Sequence, residues 1–222
     1  MSVGPVIEIT GDGSHTLFLP ELEEHYHSVN GAIQESMHVF IEAGLHQSKQ
    51  DVIRIFEVGF GTGLNAFLSL LESDASCKIH YITIEAYPLP FSIIKQLNYA
   101  DKYSQEQQNL FYKLHEVEWG TMQEITPYFY ITKIYSDLNQ FDFDSIKPVD
   151  IIYFDAFAPD KQPEMWSQQI FDHMYKITNN KGLLVTYCAK GVVRRMMQQS
   201  GYETERLPGP PGKREMLRAR KL

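Results

Sequence analysis

The sequence is poor in cysteine: Cys77 and Cys188 are the only two in 222 residues. Two thiols cannot build a disulfide framework, so a reducing cytoplasm is the expected compartment. Long apolar runs are also missing. No stretch approaches the ~20 residues that a helix needs to cross a bilayer, and no membrane partner is expected. Met1 to Thr10 lacks a basic segment followed by an apolar one, so no leader is expected either. The eight histidines are scattered. His25 and His27 share one side of an extended segment, but no third ligand follows at metal-site spacing, and no metal is expected. Internal repeats, linkers and low-complexity tracts are absent. The remainder is 43% hydrophobic, which suits one α/β domain with a sizeable core. Within that single domain, residues 1–50 read as an N-terminal extension and 51–222 as the core.

Positive charge is scarce overall, with a net charge of −8. Such a balance argues against a polyanionic partner until the distribution is considered. Lys190 to Leu222 holds nine basic and three acidic residues, while the rest of the chain holds eleven basic and twenty-five acidic. That asymmetry can steer a polyanion to one face. An ordinary solvated surface is the alternative reading.

The most informative stretch is Ile53 to Asn65. Ile53, Ile55, Phe56 and Val58 form an apolar run suited to a strand buried on both faces. Gly59, Gly61 and Gly63 follow at every second position. Leu64, Phe67, Leu68 and Leu71 then recur at helical spacing. Strand, glycine turn and helix open a nucleotide-binding α/β unit. A dinucleotide fingerprint is G-x-G-x-x-G and seats a pyrophosphate on the helix N-terminus. Here Leu64 stands where its third glycine belongs, and Glu57 lies two residues before Gly59. An acid beside the loop repels a phosphate and attracts an ammonium group, which points to S-adenosylmethionine. Glu85 closes the strand-like Ile79 to Ile84, 22 residues after Gly63, where an acid binds ribose hydroxyls.

Asp12-Gly13, between Val6–Thr10 and Thr16–Leu19, predicts a β-hairpin. Ala32 to Ala43 predicts a helix stopped by Gly44. This extension either closes over the cofactor or covers a sheet edge. Pro88 and Pro90 mark a helix start. Tyr128 to Ser136 predicts a third core strand, followed by Asp137, which either receives an adenine amino group or caps a loop. Val149 to Phe154 predicts a fourth strand, with Asp155 just beyond its end, where open parallel sheets bind ligands. A helix over Pro163–Ile177, a strand over Gly182–Tyr187 and a helix over Val192–Gln199 come next. Two last strands, Tyr202–Leu207 and Glu215–Arg220, are joined too briefly to be parallel. The fold class is α/β and Rossmann-like, a mostly parallel seven-stranded sheet with an antiparallel last strand.

Several blocks are more specific than a glycine loop. Asp12 to Leu17, Glu24 to Ser28, Gly31 to Ser36, Glu57 to Asn65, Asp155 to Pro159, Pro163 to Trp166 and Lys213 to Leu217 resemble the methyltransferase half, MnmD-type, of the bifunctional tRNA-modification enzyme MnmC. The resemblance runs over nearly the whole chain. It implies methylation of the amino group of 5-aminomethyl-2-thiouridine at the tRNA wobble position, with S-adenosylmethionine as cofactor and tRNA as partner. The chain ends at Leu222 without the family's flavin-dependent oxidase half, so a stand-alone methyltransferase is expected.

Combining residues and resemblance, Asp155 is the catalytic candidate. Tyr26, Glu57, Gly59, Gly61, Gly63, Asn65, Glu85 and Asp137 are candidates for cofactor binding. Phe157 is a candidate for packing on the target base or, alternatively, a core residue; Pro159 is a further substrate-binding candidate, and Lys190, Arg194, Lys213 and Arg214 are candidates for tRNA phosphates. The readings left open are a methyltransferase acting on a small amine or another nucleic acid, a non-catalytic cofactor-binding module, and an NAD-dependent oxidoreductase, which Leu64 disfavours.

Overall fold

A computed structural model describes residues 4–222. The first three residues of the Met1–Thr10 stretch lie outside them. β1 (Val6–Ile9) and β2 (His15–Leu19) form the expected antiparallel hairpin, with Ile9 opposite His15. Asp12 shapes its turn by accepting the Ser14 N–H at 2.9 Å. Its other oxygen accepts the Gln34 N–H at 2.9 Å, which ties the turn to the following helix. A two-residue β3 (Glu24–His25) completes a three-stranded sheet. α1 (Ala32–Ser36) runs on into a π-helical turn, Met37–Glu42, so the expected helix changes pitch partway. Val39, Phe40 and Ile41 are all buried there. Three consecutive buried residues need a wider apolar face than a surface α-helix presents.

The second sheet contains β4 (Val52–Val58), β5 (Lys78–Glu85), β6 (Met122–Thr126), β7 (Phe129–Tyr135), β8 (Val149–Phe154), β9 (Thr178–Thr186), β10 (Glu203–Pro208) and β11 (Glu215–Arg220). Its helices are α2 (Leu64–Leu71), α3 (Phe91–Ile94), α4 (Gln105–Glu116), α5 (Gln168–Ile177) and α6 (Gly191–Ser200). The strand order is β10-β11-β9-β8-β4-β5-β7-β6. β4, β5, β7, β8 and β9 are mutually parallel. β11 runs antiparallel to both β9 and β10, as the short final connection requires.

The sheet has eight strands, not the seven expected, because β6 adds an antiparallel edge beside β7. Its sequence, MQEIT, buries only Ile125. An edge strand covered on one side needs no apolar run, so its pattern is faint. The helix expected from Pro163 is also divided. Pro163–Met165 makes one 3₁₀ turn, and α5 starts after Ser167, whose hydroxyl accepts the Ile170 N–H at 3.3 Å.

Packing follows from these elements. Every residue of β8 is buried. On one face of the sheet Tyr81, Phe129 and Tyr153 pack with α2, α4 and the extension residues Leu17 and Phe40. On the other face Phe56, Phe154 and Leu184 pack with Phe171 of α5 and Met197 of α6. α2 is buried at seven of its eight positions because helices cover it from several sides. The chain steps outward from β4 through β5 to β7, then returns to β8 on the opposite side. The crevice therefore opens at the C-terminal ends of β4 and β8, where strand order reverses. No helix among the described residues is long and apolar enough to cross a membrane.

Asp150 ties the opposite, N-terminal ends of the central strands β4, β8 and β9 together. It is buried, accepting the Arg54 N–H of β4 at 2.8 Å and the Asn179 side-chain amide at 2.7 Å. Asp150→Ala leaves that N–H and amide unpaired, and should lower unfolding stability by about 1–3 kcal/mol in urea titrations.

Candidate functional site

A cavity of about 740 Å³ occupies the crevice. Its floor is the loop after β4, its sides are the loops after β5, β7 and β8, and its roof is the turn and strand from Leu19 to His27. The floor needs its glycines. Gly61 has φ of 48°, and an added Cβ would lie 3.0 Å from the Tyr26 ring. Gly63 caps α2 with φ of 71°, and a Cβ there would meet the His115 ring at 2.6 Å. Left-handed backbone and close approach together exclude a side chain at both.

Tyr26, Gly59, Gly61, Asn65, Glu85, Asp137, Asp155 and Phe157 all line this cavity. Glu85 accepts the Gly61 N–H at 3.0 Å and the Tyr87 N–H at 2.8 Å, one on each oxygen. A carboxylate has roughly four acceptor positions, so capacity remains for hydroxyl donors. Asp137 Oδ1 accepts the Asn139 N–H at 2.8 Å, capping a 3₁₀ turn at the cavity edge. The cap is thus present, and the same side chain also lines the cavity. The Tyr26 and Phe157 rings meet edge to face, with centroids 5.0 Å apart.

Two acids lie deeper. Asp155 follows β8, and its Oδ2 accepts from the Asn65 amide at 2.8 Å. Burial pushes the Asp155 carboxyl well above its ordinary range, and the Glu35 charge pushes the same way. The Asn65 hydrogen bond and Lys213 oppose them. Glu57 is fully buried behind the wall, and neither carboxylate oxygen has a hydrogen-bond partner. Burial raises its pKa from 4.5 to about 8, with Asp155 adding to the rise. The Tyr81 and Thr83 hydroxyls and Asn65 face Glu57 and restrain that rise, though none meets it in full hydrogen-bond geometry. Such groups carry a large desolvation cost unless a ligand, ion or water completes them.

Residues 98–222 match the family described as S-adenosyl-L-methionine-dependent methyltransferase. The chain belongs to that family. S-adenosylmethionine is its cofactor. The bifunctional protein MnmC of Campylobacter fetus, named for tRNA 5-methylaminomethyl-2-thiouridine biosynthesis, is 29% identical across 96% of this chain and 35% of its own length. The MnmC of Hydrogenovibrio crunogenus is 33% identical across 73% of this chain and 25% of its own. This chain thus spans about a third or less of these relatives. The crystal structure of MNMC2 from Aquifex aeolicus superposes with a TM-score of 0.77, at 26% identity, over 97% of this chain and 70% of that one. Sequence and structure comparisons therefore agree with the resemblance seen in the motif blocks.

The site's own residues fit such a cofactor. The glycine floor leaves no side chains against a bound molecule. Glu85 offers acceptors suited to a diol. Asp155 at the inner end, with Glu57 buried behind it, suits an ammonium or a sulfonium, because a bound cation favours ionisation of carboxyls that burial otherwise holds protonated, and it opposes a pyrophosphate. Among the described residues no cluster of three or more His, Cys, Asp or Glu is arranged to hold a metal ion.

The remaining candidates lie elsewhere. Gly63, which shapes the floor loop, and Pro159 are outside the lining. Lys190 forms an exposed ion pair with Asp160. Arg194 donates from Nε to Thr204 at 3.1 Å, and Arg214 is exposed. Lys213 is tied to Glu35 at 2.5 Å. Sequence reasoning missed Glu35, Thr62 and Tyr187. His27 Nε2 meets Thr62 Oγ1 at 2.7 Å under the roof, and Tyr187 donates its hydroxyl to the Ala156 carbonyl at 2.8 Å. Glu35 sits inside the Gly31–Ser36 block, which was the available signal for it.

Glu57 provides a pH test. Its folded pKa lies above its ordinary value, so the folded state holds a proton that the unfolded chain has lost. Stability from this group is full below about pH 4.5 and is lost as pH rises through about 8. Glu57→Gln should flatten that decline in cofactor-free protein. Its stability gain over the native sequence should grow to more than about 1 kcal/mol at the alkaline end, read from denaturant midpoints.

Proposed function

We propose that this chain methylates the amino group of 5-aminomethyl-2-thiouridine at the wobble position of tRNA, giving the 5-methylaminomethyl product, in the cytoplasm. The whole chain, extension included, acts as one catalytic unit. One observation carries the reading: Asp155 faces a cavity with an acidic inner end, its Oδ2 fixed by Asn65 and its neighbour Phe157 packed on Tyr26. The names of the relatives support the choice of acceptor.

When bound, the cofactor supplies a methyl group already activated on a sulfonium. The protein's task is to present a neutral amine, because an ammonium ion has no lone pair. Asn65 holds one oxygen of Asp155, so the other is the one we assign to the amine N–H. A buried carboxylate with a raised pKa is a stronger base than an exposed one, and its charge favours the cation that forms on nitrogen. Orientation of the amine supplies much of the rate. Tyr26 and Phe157 offer aromatic faces to a uridine that has left its stack. Gly59, Gly61 and Glu85, with Asp137 at the rim, are the residues we assign to contact with the cofactor, while Gly63 shapes the loop and Glu57 acts from behind it.

For the tRNA body we assign Lys190, Arg194 and Arg214, with Pro159 shaping the loop near them. The Lys190–Asp160 pair is exposed, and such pairs are weak enough to exchange for a phosphate.

The decisive assay uses labelled cofactor and tRNA bearing the aminomethylated wobble uridine, followed by digestion and identification of the labelled nucleoside. Label on 5-methylaminomethyl-2-thiouridine is expected. Label on a free amine, or none, refutes the acceptor. Asp155→Ala should lower turnover at least ~100-fold while calorimetry still registers cofactor binding. Near-normal turnover removes Asp155 from the chemistry. Arg194→Ala with Arg214→Ala should weaken tRNA binding and lower its salt slope by about one unit for each phosphate no longer neutralised.

A further inference from the structure

Lys213 is read from the sequence as a phosphate contact, yet this half-buried side chain is turned onto a buried carboxylate. Its ammonium lies 2.5 Å from Glu35 Oε1 and 3.9 Å from the centre of the Tyr187 ring. Glu35 is buried, and its second oxygen accepts the Ser28 N–H at 2.8 Å. Ser28 follows Tyr26 and His27, the residues that roof the cavity. Tyr187, at the end of β9, donates its hydroxyl to the carbonyl of Ala156 at 2.8 Å. Ala156 stands between Asp155 and Phe157.

The loop that carries Lys213 is seated against the extension at two further points. His38 Nε2 contacts the Pro208 carbonyl at 2.8 Å. Gly212, with φ of 85°, lies so close to Asn30 that a Cβ would sit 2.0 Å from its side-chain amide. The β10–β11 loop is thus wedged between the extension and the end of β9.

We propose that Glu35 and Lys213 form a positioning strut that fixes the Asp155–Phe157 loop against the Tyr26 roof. This rests on the reading of Asp155 as the group that orients the amine. Glu35 holds the roof through Ser28. Lys213 joins Glu35 to the Tyr187 ring, and Tyr187 holds the loop through Ala156. Neither Glu35 nor Lys213 touches the reacting atoms. A carboxylate and an ammonium at this site also keep the interior beside Asp155 near neutrality. A free anion there would oppose its ionisation.

The test uses the full chain without cofactor first. Amide hydrogen exchange is followed in Asp155–Gln162 for the native sequence, Lys213→Met, Lys213→Arg and Glu35→Gln/Lys213→Met. The strut predicts exchange in that loop about tenfold faster in K213M and in the double variant, with β4, β5 and β8 amides still protected. K213R should regain most of the protection. In the methylation assay K213M should lose roughly 10- to 100-fold in kcat, with the KM for tRNA within about threefold of native. Unchanged loop exchange, with a flatter salt dependence of tRNA binding, would overturn the proposal and return Lys213 to the phosphate role. If K213M does not fold, Tyr187→Phe decides, since it deletes one oxygen and keeps the ring. Faster loop exchange supports the strut, and native exchange sinks it. A native protein that fails to methylate the tRNA refutes the acceptor reading alone, because the exchange data still decide the strut.

Discussion

The site depends on holding carboxylates where water does not reach them. Glu57 and Asp155 sit at the C-terminal ends of adjacent parallel strands; burial makes both hard to ionise, and Asp155 adds to the difficulty for Glu57. Removing a carboxylate from water carries a large free-energy cost, and two together cost more. Folding tolerates this because the surrounding sheet is rigid and apolar. β8 is buried at every position, and aromatic residues fill both of its faces. A cavity with an acidic inner end, lined by backbone and rings, is the result. Its preference for a cationic ligand follows from electrostatics before any particular molecule is considered.

Much of this was visible in the residues themselves. Gly59, Gly61 and Gly63 mark left-handed backbone, a local property that sequence records directly. β4 and β8 are apolar runs because both faces are covered. Glu85 and Asp155 are legible because position at a strand end is local too. β6 escaped notice because an edge strand with one buried residue has almost no pattern. The π-turn escaped because Met37 to Glu42 carries a good helical spacing, and the change of pitch answers to packing. Tyr128 to Ser136 is legible as a strand, but the setting of Lys133 within it is not: the residue is 1% exposed, with its ammonium 2.7 Å from the His115 carbonyl and 4.9 Å from the Trp119 ring. Alternation reports polarity, and burial of a paired cation defeats it.

Lys213 shows the sharper limit. Beside Arg214 in a basic tail, it reads as a surface charge. Its partner Glu35 is 178 residues away in sequence, and nothing local announces an ion pair of that span. Charge counted along a segment treats every lysine as equally available. The fold does not. Arg214 is exposed, Lys190 is held loosely at the surface, and Lys213 is drawn inward by a carboxylate that would otherwise be buried alone.

This inward turn changes what the N-terminal extension is for. A hairpin and short helix that merely covered a sheet edge would need apolar packing and little else. Leu17, Val39 and Phe40 supply that packing within the main core. Yet the extension also sends Tyr26 over the glycine floor, His27 to Thr62, and Glu35 to the loop between the last two strands. Those polar ties add little to burial but remove freedom from the roof relative to the floor. In the reaction we propose, where a neutral amine must meet a methyl group in line, restricted freedom is the main thing a protein can supply. The extension is therefore better understood as the fourth wall of the site, joined to the other three by directional bonds whose geometry apolar packing alone would not specify.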